Sequence, residues 1–99
     1  MKTIHVWVTL KDIAQGVPLS HTECPIAIAI RRAGALWAQV YGEEIFWQMP
    51  NEAGEHSADT SPTMREFMDA FDNHRPGVIP FPFNLQERWD ANAQKRGVA

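Results

Sequence analysis

Alternating apolar and polar residues near the start of the chain predict a β-strand over residues 3–10. A half-buried strand has this period of two because successive side chains point to opposite faces. The apolar face consists of Ile4, Val6, Val8 and Leu10, and the other face of His5, Trp7 and Thr9. Residues 11–15 then predict one helical turn, ended by Gly16 in the left-handed conformation that is common after a helix.

A longer apolar stripe predicts a central helix from Pro25 to about residue 40. Proline is favoured at the first helical position because its missing N–H would have no partner there, and Cys24 then lies at the cap. At spacings of three and four, the stripe contains Ile26, Ala29, Ile30, Ala33, Trp37 and Val40. Trp37 is therefore expected in the core, and Gly34 within the helix indicates a close neighbour.

The rest of the chain predicts two more strands and one more helix. Residues 43–49 alternate as a strand, and residues 51–61 form an exposed loop without a large apolar side chain. A helix runs from residue 62 to about residue 74. Residues 78–85 predict an edge strand, because its two prolines cannot donate to a ladder.

This order of elements predicts an α+β fold. We expect a small three-stranded, mainly antiparallel sheet packed on two helices, in the order strand, helix, strand, helix, strand. Residues 1–85 would form a single compact domain. Residues 86–99, which include Trp89, would form a short C-terminal helix or a frayed tail.

Composition limits the classes of partner. Nine Lys and Arg against twelve Asp and Glu give a net charge of −3, which argues against direct binding to nucleic acid. Between residues 43 and 72, eight acids stand against one base, Arg65, so a partner with a basic surface is expected. One cysteine excludes an internal disulfide. Without a signal-like start or an apolar run near the ~20 residues of a membrane span, a cytoplasmic protein without membrane contact is expected.

Three segments together resemble small proteins of bacteriophages and prophages. They are IHVWVTLKDIAQG at residues 4–16, CPIAIAI at residues 24–30 and FDNHRPGVIPFPFNL at residues 71–85. The resemblance depends on Cys-Pro at a helix start in combination with a Phe-Asp turn that leads to Pro-Phe-x-Phe-x-Leu. It implies a phage lineage and a compact strand-helix fold. Since phages encode many small proteins that disable a host machine or defence system, it also implies the cytoplasm of a host cell.

Cys24 admits several interpretations. A thiol at a helix start meets unpaired N–H groups, which can lower its pKa, and His21 could act as its base. His21-x-x-Cys24 is also half of a metal site, but the sequence has no second close His/Cys pair. We therefore predict no catalytic residue, no metal and no cofactor, and expect a capping or packing role. Alternatively, the helix start would hold an anion or nucleotide with Ser20, His21, Thr22 and Cys24.

Acidic residues and two tryptophans are candidates for a protein interface. The acidic candidates are Glu43, Glu44, Glu52, Glu55 and Asp59, and the aromatic candidates are Trp7 and Trp89. Exposed aromatic side chains often anchor interfaces, and the acids suit a basic partner. The simpler alternatives are a solvated acidic face and a tail in which Trp89 covers Trp7.

The leading expectation is a small non-enzymatic protein that engages a host protein through this acidic and aromatic surface, as a host-takeover or anti-defence inhibitor. The alternative is a domain that binds a small molecule or nucleotide at the start of the central helix. A thiol enzyme at Cys24 is a third, minor alternative. The oligomeric state is left open.

Overall fold

The chain folds into three helices and two antiparallel sheets in the computed structural model, which describes residues 3–86. The elements are β1 (Thr3–Val8), α1 (Leu10–Gln15), α2 (Pro25–Arg32), β2 (Trp37–Val40), β3 (Glu44–Gln48), β4 (His56–Asp59), α3 (Pro62–Asp72) and β5 (Phe81–Gln86). The α+β class is as predicted, but the single three-stranded sheet of the prediction is replaced by two sheets. No helix among residues 3–86 is long and apolar enough to cross a membrane. The helix or tail predicted beyond Gln86 lies outside the described residues.

The first sheet is a ribbon of β1 and β5. Thr3 lies opposite Gln86 and Val8 opposite Phe81, so the ribbon joins segments that are far apart in sequence. The predicted inward faces are confirmed at Val6 and Val8, which are buried. Leu10 was expected on the same face but is exposed, because the strand ends at Val8 and Leu10 is the first residue of α1.

Helix α1 begins with a capping box. The Thr9 hydroxyl accepts from the Asp12 N–H, and the Asp12 carboxylate accepts from the Thr9 N–H, at 3.3 and 2.9 Å. Asp12 is 2% exposed and also accepts a hydrogen bond from Arg32, the last residue of α2. Burial acts to raise the pKa of Asp12, but the hydrogen bonds from Arg32 and Thr9 outweigh it and hold that pKa below its ordinary value.

Gly16 follows α1 and differs from the prediction. Its φ of −68° is not left-handed, so backbone freedom does not explain the glycine. The reason is space: a Cβ at Gly16 would lie 2.6 Å from Cγ of Pro25 and 3.0 Å from Cζ of Phe71. Gly16 therefore permits close packing of α1 against α2 and α3.

Helix α2 ends at Arg32, so the prediction of a helix to residue 40 is wrong in its second half. The N–H of Gly34 donates to the carbonyl of Arg31, and the N–H of Ala35 donates to the carbonyl of Ile30. Together with the positive φ of Gly34, +124°, these two bonds form a Schellman motif. Gly34 therefore ends the helix, and no close contact accounts for it, since a Cβ there would meet only Met49 Cε, at 3.5 Å.

The second sheet has the order β2-β3-β4. Its strands bury Ala38, Val40, Ile45, Trp47 and Ala58. Trp37, expected in the core, is only half-buried, because it belongs to β2 and alternates with the buried Ala38. The predicted loop over residues 51–61 is partly wrong as well, because β4 pairs with β3 within it.

Helix α3 is confirmed close to its predicted bounds. The Ser61 hydroxyl caps it by accepting from the Met64 N–H at 3.2 Å. Met64, Phe67 and Ala70 form the buried stripe, and the rings of Phe67 and Phe81 lie 4.9 Å apart. Through this contact α3 packs against the β1–β5 ribbon.

Candidate functional site

A cleft of about 550 Å³ opens between the start of α2, the turn between β2 and β3, and α3. Its apolar floor is formed by Pro25, Val40, Phe67, Met68 and Phe71. This volume lies within the range of roughly 300–1,000 Å³ that is usual for ligand sites. Side chains from α2, β2 and α3 therefore line one apolar depression, which we call the cleft.

Leu19 stands at the mouth of the cleft in an unusual conformation. It follows Pro18 in a turn, has a φ of +62° and is 78% exposed. A side chain in the left-handed region costs roughly 1–2 kcal/mol, so glycine or asparagine is usual at such positions. The N–H of Leu19 donates to Oδ1 of Asp72 at 3.0 Å, which attaches the turn to the end of α3.

His21 attaches the segment before α2 to the end of β2, where it contacts Val40 and Tyr41. The N–H of Val40 donates to the carbonyl of His21 at 2.8 Å, and Nδ1 of His21 lies 3.1 Å from the carbonyl oxygen of Val40. The rings of His21 and Tyr41 are 4.4 Å apart, and Tyr41 also meets Phe46 edge-on at 5.8 Å. These contacts hold an exposed tyrosine at the cleft.

Two carboxylates of α3, Asp69 and Asp72, line the cleft one helical turn apart. Asp69 accepts from Nη1 of Arg75 and from Nδ2 of Asn73, both at 3.0 Å. Because Asp69 and Arg75 are both more than half exposed, this ion pair is weak. The one arginine of the lining, Arg65, donates to the carbonyl of Thr60 at 2.7 Å. The charged residues that line the cleft are thus two acids and one arginine, whose guanidinium is hydrogen-bonded to Thr60.

Cys24 lines the cleft and acts as the N-cap of α2. Its Sγ accepts from the N–H of Ala27 at 3.4 Å, and the residue is only 5% exposed. Burial raises the pKa of the Cys24 thiol, the nearby Asp72 carboxylate adds to this, and the amides at the helix start offset only part of it. A nucleophilic cysteine needs the opposite shift, so this geometry is that of a structural cap.

Of the other residues predicted at the helix start, Ser20 and His21 line the cleft and Thr22 does not. Ser20 lines the cleft together with His21, but its hydroxyl accepts from the N–H of Glu23 at 3.0 Å. Thr22 is exposed, and its carbonyl accepts a hydrogen bond from Arg31. Pro25 has no N–H, so the first amide of the helix start that could meet an anion is missing.

Three of the predicted acidic residues meet at one end of the three-stranded sheet. Glu44 lies opposite Asp59, and the carbonyl of Glu43 accepts from the N–H of Thr60 at 3.0 Å. Gly42, which precedes Glu43, lines the cleft, so this acidic end lies beside it.

The remaining candidates lie elsewhere. Oε2 of Glu52 lies 2.7 Å from Nε2 of His56, whose ring stacks on Trp47 at 5.5 Å, and Glu55 is exposed in the segment before β4. Trp7 is 59% exposed on β1, and its carbonyl accepts from Arg32 at the far end of α2. Trp7 is therefore not part of the cleft, and Trp89 lies outside the described residues.

Within residues 3–86, no group of three or more His, Cys, Asp or Glu side chains is placed to hold a metal ion. The structure places the predicted Ser20, His21 and Cys24 in the lining of the cleft. Leu19 and Tyr41 were not predicted there, and Asp69 and Asp72 were counted only among the acidic residues. The local signal for the left-handed Leu19 was its position directly after Pro18, because proline often precedes the residue of positive φ in a turn.

No protein-family model, no curated protein and no solved structure matches this chain. The functional conclusion therefore depends on the chemistry of the cleft itself.

Proposed function

We propose that this protein is a non-enzymatic binding module that engages a partner protein with a basic surface. One observation carries the proposal: an apolar floor lies directly beside the carboxylates of Asp69 and Asp72, with Leu19 exposed at its mouth. Protein interfaces are built in this way, with an apolar centre and charged groups around it. Glu43 and its acidic neighbours extend the same charge beyond the cleft.

The resemblance to small phage proteins supports a host protein as the partner. On this proposal the protein acts as a host-takeover or anti-defence inhibitor in the cytoplasm of the host cell. Stoichiometric binding, and not turnover, would produce the effect, since Cys24 has its thiol buried and engaged in a cap.

A second candidate, a small-molecule or nucleotide site, is favoured by the volume of the cleft and by Ser20 and His21 in its lining. An anionic nucleotide suits the cleft less well than a basic peptide. Asp69 and Asp72 would repel phosphate, and the Ala27 amide already donates to Cys24.

Affinity capture from a bacterial lysate with matched variants tests the proposal. Asp69→Asn with Asp72→Asn removes the two negative charges of the cleft but leaves an amide oxygen to accept from the Leu19 N–H. Glu55→Gln with Glu66→Gln removes the same charge from exposed positions outside the cleft. Bound proteins are identified by mass spectrometry, and the affinity of the purified partner is measured by calorimetry.

We expect a stoichiometric partner whose affinity falls with the cleft variant and changes little with the control. Equal affinities for both variants would exclude the cleft as the interface. If no protein is captured while anionic nucleotides raise the melting temperature, the small-molecule candidate replaces the proposal.

A further inference from the structure

We infer that the cleft recognises a partner segment in which a large apolar side chain stands next to an arginine or lysine. This inference rests on the proposed function and specifies the chemistry of the partner. It follows from three features of the cleft: the apolar floor, the position of its two carboxylates and the conformation of Leu19.

The apolar half of the recognition is provided by the floor. Phe67, Met68 and Phe71 present one side of α3 to the cleft, and Val40 and Pro25 face it from β2 and α2. The volume of the cleft, about 550 Å³, lies within the range of roughly 300–1,000 Å³ of clefts that bind whole small molecules, so a large apolar side chain has room to enter. An aromatic or leucine side chain entering there would be surrounded by apolar groups from three elements, as anchor residues of interfaces are.

The charged half is provided by Asp69 and Asp72. Residues three apart on a helix lie roughly 5–6 Å from each other at their Cβ atoms, so both carboxylates can reach one guanidinium or ammonium group. Asp72 accepts from the N–H of Leu19, and a carboxylate has acceptor sites for further donors. The Arg75 partner of Asp69 is exposed and can be exchanged for a cation from outside.

Leu19 connects the two halves. Its backbone is left-handed and its N–H donates to Asp72, so the carboxylate that would take the cation also holds the turn that carries the exposed leucine. The leucine side chain contributes little to the fold at 78% exposure, and glycine would suit its backbone better. A strained residue that the fold itself does not require points to a binding role. Leu19 would then cover the apolar side chain after it has entered the cleft.

An NMR titration of the full chain with capped hexapeptides tests the inference. The probe has Phe-Arg between alanines, and its two controls have Phe-Glu and Ala-Arg in the same positions. We expect saturable shifts of the amide signals of Leu19, Tyr41 and Met68 with Phe-Arg. Both controls should bind several-fold more weakly, because each lacks one half of the recognised pair.

Matched variants separate local contacts from the overall charge. Asp72→Asn should weaken Phe-Arg binding by about two- to fivefold, the range of a solvent-facing ion pair, while Glu66→Gln on the same helix leaves it unchanged. Leu19→Gly, which suits the backbone, should also weaken binding. Leu36→Ala shortens another exposed leucine, which directly precedes β2 and is not in the lining of the cleft, and it should have no effect.

Equal binding of the Phe-Arg and Phe-Glu peptides would overturn the inference, as would shifts confined to residues outside the cleft. So would a response of the cleft amides to adenosine monophosphate when no peptide shifts them. If the peptides fail while a captured protein still depends on Asp69 and Asp72, this inference falls and the proposed function stands. If the captured protein is also insensitive to them, both fall.

Discussion

Gly16 lies where α1, α2 and α3 meet, and we predict that Gly16→Ala destabilises the protein through steric overlap alone. The backbone of Gly16 has φ −68° and ψ 150°, which alanine adopts without strain. The added Cβ, however, would lie 2.6 and 2.7 Å from Cγ and Cδ of Pro25. The Pro25 ring is rigid and its residue is fully buried, so it cannot move aside without shifting α2.

The magnitude follows from two opposing effects. Overpacking of this kind lowers the free energy of unfolding by about 1–3 kcal/mol. Alanine also reduces the conformational entropy of the unfolded chain, which offsets about 0.4–1 kcal/mol of this loss. We expect a net loss of about 1–2 kcal/mol, and each kcal/mol corresponds to about 4–8 °C in melting temperature for a domain of this size.

Gly42→Ala is the matched control. A Cβ at Gly42 would have no atom within 4 Å, and its φ is not in the left-handed region. This variant should be neutral or more stable by up to about 1 kcal/mol. Urea unfolding followed by tryptophan fluorescence measures both variants. If Gly16→Ala is as stable as Gly42→Ala with the same dependence on urea, the steric explanation of Gly16 is refuted.

Three further predictions follow from other contacts. Asp12→Ala should lower the free energy of unfolding by about 2–4 kcal/mol, because it removes the capping box and the carboxylate that accepts from Arg32. The pKa of Asp12 in the folded protein lies below its ordinary value of 3.8, so its stabilising effect should be present above pH 3.8 and disappear as the pH falls through the folded pKa. If the wild type and Asp12→Ala lose free energy of unfolding in parallel as the pH falls, this expectation is contradicted. The Cys24 thiol should be alkylated far more slowly in the native protein than in urea at the same pH, as mass spectrometry would detect, and equal rates would contradict its role as a buried cap. Leu19→Gly should raise the free energy of unfolding by up to about 1 kcal/mol in urea titrations, whereas a clear loss would mean that the leucine side chain supports the fold.

Elements with a strong local pattern could be predicted from the sequence. β1 and β5 alternate over six residues, and α3 begins at Ser61-Pro62 and has a regular apolar stripe. Such patterns determine both the type of element and its buried face. The end of α2 was harder to predict, because Trp37 and Val40 continue the apolar spacing of the helix. Only the left-handed Gly34 and its Schellman bonds separate helix from strand there.

Tertiary pairing produced the features that the sequence did not predict. β4 has the sequence HSAD, which has no apolar alternation, and it is a strand because β3 supplies its hydrogen-bonding partners. The cleft likewise depends on contacts between distant segments. Leu19 and Asp72 are 53 residues apart and are joined by one hydrogen bond, so no local pattern could place them in the same site.

The pairing of β1 with β5 also has a consequence for synthesis on the ribosome. Thr3 meets Gln86, so β1 must wait until β5 has been made before their ladder can form. At about 5–20 residues per second, translation of the intervening chain takes roughly 4–17 seconds. During that interval the apolar side chains of Val6 and Val8 have no partner from β5. Until β5 emerges, the nascent chain exposes apolar surface of the kind that makes incomplete folds prone to aggregate, and slowing translation before Phe81 would lengthen that exposure.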